Sequence, residues 1–268
     1  MKNILLLVHD DSGQEARFQA ALDLGRALEG HITCLDVAYT PPLVGTGFYE
    51  EAYVAADLMT QEVAREAANR VKLEKRLAHE DVPWDWINTT GDIAPCVKRA
   101  CDLADVVVIN RQLDDFSVPE MRAAAGEVIT RSGKPVLAVP GSCERLDLSS
   151  ALIAWDGSPC AAAALRAAVP LLRQAERVTI LEVTDGSVAA PAEDAAAYLS
   201  RHDVHAEIRR IPVPQGGARR VILQEASGGR FGYLVMGGFG HLRFVEALFG
   251  GVTREMLTNS PIPVFLAH

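Results

Sequence analysis

The chain of 268 residues is 49% hydrophobic and carries a formal net charge of −9, and none of its apolar runs approaches the roughly eighteen residues of a membrane span. Since the amino terminus also lacks a signal-peptide layout, we expect a cytoplasmic protein without membrane contact. Residues 1–144 hold 14 Lys and Arg against 23 Asp and Glu, whereas residues 145–268 hold 12 of each, which disfavours a nucleic-acid partner and makes the second half the better host for an anionic ligand.

The first half of the chain alternates short apolar runs with longer helical patterns, as expected for a parallel sheet with helices on both faces. After the first run, Phe18, Leu22 and Leu28 share one helical face. A Pro-rich loop at 41–47 and a long helix over about 50–79 follow the second run. The predicted strands of this half lie near residues 2–8, 31–37, 83–88, 105–110 and 135–139.

The second half repeats the first. Residues 6–37 align without gaps on residues 152–183 at an offset of 146, and the run at Val106 realigns with Tyr233 at an offset of 127. The first half therefore carries about nineteen extra residues, mostly in its loop and long helix. The predicted strands of the second half lie near residues 151–155, 177–183, 205–211, 232–236 and 263–267.

This repeat predicts an α/β fold of two tandem doubly wound domains, each with a five-stranded parallel sheet flanked by helices. The first domain spans residues 1–144 and the second spans residues 145–268. Because the linker at 141–150 is brief, we expect the two domains to pack against each other.

The strongest chemical signal is a glycine pattern after the fourth strand of the second half. Met236, Gly237 and Gly240 follow an apolar strand, and glycine lets the backbone approach a ligand closely. Gly250 and Gly251 stand where a helix should begin, and the free N–H groups and positive dipole end of such a helix favour phosphate oxygens. Residues 145–268 contain no lysine, which excludes a Walker-type loop. Glycines also punctuate plain turns, so the pattern alone leaves both interpretations open.

A second element of the same half lies at the carboxyl end of its first strand. Ligands of open α/β sheets bind beyond the carboxyl ends of the strands, where the strand order reverses. Asp156 can therefore accept hydrogen bonds from a nucleotide, and Val183 at the end of the second strand can form a wall for a base. We interpret Ser158 as a helix cap, and capping stays an alternative for Asp156.

With these residues, the chain resembles a tandem universal stress protein along both halves. The family is marked by GxxGx9G[ST], and Gly237, Gly240 and Gly250 match it in register, whereas Gly251 replaces the hydroxyl residue and Thr253 is a partial substitute. The resemblance implies an ATP site, with or without Mg²⁺, in the second domain. It places Asp156 and Val183 at the adenine, Met236, Gly237 and Gly240 at the ribose and phosphates, and Gly250, Gly251 and Val252 at the phosphate tail.

The first domain departs from this pattern. Its fourth strand is followed by no glycine pair, and Asp114 and Asp115 lie where phosphates would bind, so we predict that this domain does not bind ATP. Asp10 and Asp11 remain after its first strand, and without a phosphate site we interpret them as helix caps.

No catalytic or metal-binding pattern is evident. The sequence has no GxSxG, HExxH or catalytic-cysteine context, and His202 and His205 have no third ligand nearby. Five cysteines without CxxC spacing indicate neither a disulfide framework nor a zinc site, and we interpret them as buried thiols. We predict no catalytic residue, no metal site and at most slow ATP hydrolysis.

The sequence leaves alternatives for function. The leading hypothesis is a stress-response protein that holds ATP in its second domain. The alternative is a nucleotide-independent scaffold or a protein with a small apolar ligand, and an adenylate-forming or pyrophosphatase-type enzyme is disfavoured because no acid/base pair lies near the glycines. The resemblance also implies that the strands at 135–139 and 263–267 join the domains as a pseudo-dimer within one chain, with a homodimer of chains as a further option.

Overall fold

The computed structural model describes residues 1–38, 49–111, 124–214, 217–238 and 251–268. Strands and helices alternate along these residues. The strands are β1 (Asn3–Val8), β2 (His31–Ala38), β3 (Trp84–Thr90), β4 (Val106–Asn110), β5 (Val136–Val139), β6 (Ser150–Trp155), β7 (Arg177–Thr184), β8 (Ala206–Pro212), β9 (Tyr233–Gly237) and β10 (Val264–Ala267). The helices are α1 (Gln14–Leu28), α2 (Tyr49–Leu77), α3 (Ile93–Ala100), α4 (Ala124–Arg131), α5 (Pro159–Leu172), α6 (Ala192–Ser200), α7 (Ala218–Ala226) and α8 (Gly251–Asn259).

The predicted strands are confirmed, because each begins and ends within two residues of its expected position. The long helix of the first half is confirmed as α2. The Pro-rich loop at 41–47 lies outside the described residues.

All of these strands belong to one sheet in the order β3-β2-β1-β4-β5-β10-β9-β6-β7-β8. Each half contributes five parallel strands in the same relative order. The halves meet where β5 and β10 pair antiparallel, with Ala138 opposite Val264 and Leu137 opposite Phe265. The five-stranded parallel sheet expected of each half is present, and the β5–β10 pairing joins the two into one continuous sheet of ten strands, in which neither fifth strand is left as an exposed edge.

A buried apolar layer lies on each face of this sheet, and each layer draws residues from both halves. One layer includes Leu6, Phe265 and Ile153, and the other includes Leu7 and Leu234. Alternate residues of a strand point to opposite faces, so a strand between two such layers must be apolar along its whole length. This requirement explains the short, uninterrupted apolar runs of the sequence.

Polar contacts also join the halves. Arg111 Nη1 donates to the carbonyl oxygen of Leu257 at 3.1 Å and to that of Thr258, at the carboxyl end of α8, where a positive charge is favoured. The Leu146 N–H donates to Asp23 Oδ2 at 2.9 Å and ties the linker to α1. These contacts and the shared apolar layers join the two halves.

All five cysteines carry free thiols, three of them buried, whereas Cys143 and Cys160 are partly exposed. The interpretation as buried thiols is therefore confirmed for three of them. Among the described helices, none combines the length and the apolar character that a membrane span requires.

Candidate functional site

The strand order reverses at β6, which lies between β9 and β7, and this point defines the second-half cleft. Ala154 of β6 pairs with Met236 of β9, and Trp155 pairs with Glu182 of β7. Asp156, the next residue along, therefore lies level with Val183. The register thus brings the predicted residues of β6, β7 and β9 to one edge of the sheet.

Asp156 is exposed and one of its carboxylate oxygens shapes the turn that follows β6. Its Oδ1 accepts from the Ser158 N–H at 2.9 Å, and its carbonyl oxygen accepts from the Ala189 N–H at 2.7 Å. Ser158 Oγ accepts from the Ala161 N–H at 3.1 Å, so the predicted cap of α5 is confirmed. Within the described part of the chain, Asp156 Oδ2 makes no hydrogen bond, which leaves one oxygen for a ligand.

Gly237 ends β9 directly against the first turn of α5. A Cβ atom at this position would lie 2.5 Å from the Ala161 nitrogen and 2.7 Å from the carbonyl carbon of Cys160. The glycine therefore permits close backbone packing between strand and helix, a role that the sequence did not indicate. Met236 and Val183 are buried and form apolar walls behind this edge.

The second part of the predicted site is the start of α8. This helix begins at the exposed Gly251, as predicted, and Val252 is half-buried beside it. Thr253, in the first turn of this helix, is only 5% exposed. Gly240 and Gly250 lie outside the described residues.

One charged residue near this helix start was missed by the sequence analysis. Arg219 is an exposed residue of α7, and its Nη1 lies 3.9 Å from the position that a Cβ atom of Gly251 would take. A guanidinium group and a helix amino terminus both favour phosphate oxygens. Nothing in the local sequence marks this pair, because the two residues belong to different helices.

The equivalent cleft of the first half, between β1 and β4, is filled by Arg17 of α1. Its side chain is fully buried and donates to the carbonyl oxygens of Leu7 at 2.7 Å and His9 at 2.6 Å. It also donates to Asp11 Oδ1 at 2.7 Å and to Asn110 Oδ1. A buried guanidinium group thus occupies the point where the strand order reverses.

Asn110 completes this closure, because it ends β4 as Gly237 ends β9. Its Nδ2 donates to the carbonyl oxygens of Gly13 at 3.1 Å and Val139 at 3.3 Å. In addition, Asp11 Oδ1 accepts from the Gly13 N–H at 2.7 Å within the turn and forms an ion pair with Arg17. The N-cap residue of α1 is Gly13, without a side-chain cap, so the predicted capping by Asp10 and Asp11 is wrong. The predicted carboxylates Asp114 and Asp115 lie outside the described residues.

The turn after the first strand also differs between the halves. Five residues, 9–13, separate β1 from α1, whereas three residues, 156–158, separate β6 from α5. The gap-free alignment at an offset of 146 is therefore wrong within this turn, where the first half has a longer connection. Arg17 corresponds to an alanine in the second half, Ala164 when the strand ends are aligned and Ala162 when the helix starts are aligned.

Asp36 of β2 lies opposite Val8, the last residue of β1, and the pKa of its carboxyl group is raised. Burial, together with the negative charge of Glu66, raises the pKa of Asp36 to about 6 against the lowering effects of His9, Trp86 and Arg70. Ionisation of Asp36 is therefore less favourable in the folded chain than in the unfolded chain.

We expect Asp36→Asn to stabilise the protein at neutral and alkaline pH. Between pH ~4 and ~6 the folded chain keeps a proton that the unfolded chain loses, so the stability of the parent protein falls across this window as the pH rises. The variant should gain about 1–2 kcal/mol in free energy of unfolding above pH ~7 and nothing below pH ~4. Urea unfolding of both proteins at several pH values measures this, and a pH-independent difference would contradict the assignment.

The described residues also line a small cavity of about 110 Å³ at the amino ends of β7 and β8, on the opposite edge of the sheet from the second-half cleft. Two of its arginines, Arg209 and Arg230, are paired with Glu225. This cavity therefore does not belong to the candidate nucleotide site.

Comparisons with known proteins concern the second half of the sequence and the fold of the whole chain. The Universal stress protein family matches residues 149–268. Across the whole chain, the fold is similar to that of a universal stress protein from Archaeoglobus fulgidus DSM 4304, with a TM-score of 0.72, 18% identity and coverage of 99% of this chain and 97% of that one. A functionally unknown protein from Pseudomonas aeruginosa PAO1 is similar with a TM-score of 0.59, 13% identity and coverage of 100% and 92%.

No curated protein matches the sequence of this chain. The structural likenesses extend over both halves, and at these identities they concern the fold. The chain therefore has the α/β fold of universal stress proteins from end to end, and its residues 149–268 match the Universal stress protein family.

Proposed function

We propose that the chain is a cytoplasmic stress-response protein that binds one adenine nucleotide, ATP, in its second-half cleft. The observation that carries this proposal is the register of β6 with β7 and β9, which sets Asp156, Val183 and Gly237 at the edge where open α/β sheets bind ligands. The family match over the same residues supports it.

The polar groups of this cleft suit the two ends of a nucleotide. Asp156 offers Oδ2, which makes no hydrogen bond to the described residues, to the amino or hydroxyl groups of the nucleoside, beside the apolar Val183. Gly251 and Arg219 offer backbone N–H groups and a positive charge to the phosphates. Gly251 lacks the hydroxyl expected at its position, and in this proposal Arg219 supplies the missing interaction.

The first half plays a different part in the proposal. Arg17 and Asn110 fill its cleft, so it holds no nucleotide and acts as the structural partner of the second half in an intrachain pseudo-dimer built on the β5–β10 pairing. No acid/base pair stands among the described residues of the second-half cleft, and ATP turnover is therefore expected to be slow at most.

We expect Asp156→Ala to weaken ATP binding by about 10- to 100-fold, the range for losing a hydrogen bond to a charged group. Asp10→Ala is the matched control, because Asp10 is the exposed aspartate after β1 in the first half. Isothermal titration calorimetry with ATP measures both variants. Equal loss in both variants, or no loss in Asp156→Ala, would contradict the assignment of the adenine side.

A further inference from the structure

His9, Glu62 and Glu66 form a compact cluster in the first half, away from the second-half cleft. His9 follows β1, and the two glutamates are one helical turn apart on α2. His9 Nδ1 lies 2.8 Å from Glu66 Oε1 and 3.8 Å from Glu62 Oε1. One ligand atom from each residue lies within 4.8 Å of the other two. We call these three residues the His9 cluster.

The His9 cluster carries more negative than positive charge in a largely buried place. His9 and Glu66 are each 2% exposed, and Asp36 lies close enough to be affected by the charge of Glu66. Arg65 is the cation that contacts both glutamates, and its side chain is 44% exposed. Carboxylates that leave water need nearby positive charge, and a partly solvated guanidinium group supplies only part of it.

Hydrogen bonds from two neighbouring groups fix the carboxylate of Glu66 beside His9. Its Oε1 accepts from the Asp10 N–H at 3.2 Å, and its Oε2 accepts from Asn69 Nδ2 at 3.3 Å. Asn69 is fixed in turn by two hydrogen bonds with Gln14, at 2.7 and 2.8 Å. Such supporting hydrogen bonds orient the ligands of metal sites and set their affinity.

We propose that the His9 cluster binds a divalent transition-metal ion, with Zn²⁺ as the best match. The ligands are His9 Nδ1 and one carboxylate oxygen each from Glu62 and Glu66. An imidazole nitrogen combined with carboxylates suits Zn²⁺, whereas Mg²⁺ and Ca²⁺ prefer oxygen ligands alone. The Glu62 side chain is 17% exposed, which leaves a solvent side for ion entry and for a water as fourth ligand.

When no metal is bound, the guanidinium group of Arg65 supplies the positive charge beside Glu62 and His9. Its Nη2 lies 2.7 Å from Glu62 Oε2 and 3.1 Å from His9 Nε2. Because Nη2 donates, His9 Nε2 accepts and the ring proton sits on Nδ1. Metal binding at Nδ1 requires that this proton move to Nε2 through solvent. Nε2 then becomes a donor, so the exposed Arg65 side chain must turn away into water.

Titration with Zn²⁺ and with Co²⁺ tests the proposal on the full chain. We expect one saturable site, and a Co²⁺ absorption spectrum without the sulfur charge-transfer bands of a cysteine site. Glu62→Gln should weaken binding by at least about 10- to 100-fold, the range for losing even a supporting contact. Because Glu62 lies at the rim, this variant should remain folded by circular dichroism. Arg65→Met should tighten binding several-fold, because it removes the competing cation.

His31→Gln is the matched control. His31 forms an exposed histidine–carboxylate pair with Asp85, with Nε2 3.5 Å from Oδ2, in the same half of the chain. We expect this variant to bind Zn²⁺ as the parent protein does. The proposal is overturned if no saturable binding occurs at millimolar Zn²⁺, if Glu62→Gln binds as tightly as the parent, or if Arg65→Met binds more weakly. All of these outcomes are independent of nucleotide binding in the second half.

Discussion

Replacement of Arg17 by methionine is expected to lower the free energy of unfolding by about 3–5 kcal/mol, the cost of breaking a buried ion pair. Methionine keeps the packed stem of the side chain and removes every hydrogen bond of the guanidinium group. It leaves the carboxylate of Asp11, with a side chain 5% exposed, without its ion pair, and the buried Oδ1 of Asn110 without the hydrogen bond from Arg17. The loss is a large share of the 5–15 kcal/mol that typically holds a domain together.

Arg26→Met on the same helix is the matched control for Arg17→Met. Arg26 is 42% exposed and forms ion pairs with Asp23 and Glu80, and such surface pairs contribute about 0–1 kcal/mol. Urea unfolding of both variants, with the slope of the transition checked for two-state behaviour, measures the difference. Similar midpoints for the two variants would show that Arg17 does not close the first-half cleft as described.

Gly157→Ala is expected to destabilise the second half by more than about 2 kcal/mol and to weaken nucleotide binding. Gly157 has a φ of +73°, which costs an L-residue about 1–2 kcal/mol. A Cβ atom would also collide with the Ala190 nitrogen and lie 2.7 Å from the Ala190 Cα atom, both backbone atoms that cannot turn aside. The turn would have to shift, and with it the carboxylate of Asp156.

Gly186→Ala separates the cost of the positive φ from the cost of the steric collision. Gly186 has a φ of +89° but no atom within 4 Å of its would-be Cβ, so it carries the backbone strain without the collision. We expect a loss of about 1–2 kcal/mol there and an unchanged affinity for ATP. Thermal unfolding and ATP titration of both variants provide the comparison. If Gly186→Ala impaired ATP binding as much as Gly157→Ala, the turn at Gly157 would have no special link to the site.

Most strands were predictable because they are buried on both faces, whereas the edge strands β3 and β8 are partly exposed. Val106–Asn110, for example, is buried at every position, and such a strand leaves a continuous apolar run in the sequence. The merging of both halves into one sheet followed only from the resemblance, since the antiparallel pairing of two short apolar runs has no signature of its own.

The closed cleft of the first half was harder to predict. From the missing glycines, the sequence predicted that the first half does not bind ATP, but it did not predict that Arg17, on the helix that carries Phe18 and Leu22, is buried in the cleft. Its partners Leu7, Asp11 and Asn110 come from two strands and a turn. The His9 cluster was not predicted either, because its histidine follows β1 and its glutamates lie on α2, far apart in the chain.

Isothermal titration of the unmodified chain with ATP tests the central claim most directly. With Arg17 closing one cleft and the polar groups of the other available, we predict saturable binding of one ATP per chain. The absence of heat at millimolar ATP, or a stoichiometry of two per chain, would contradict it.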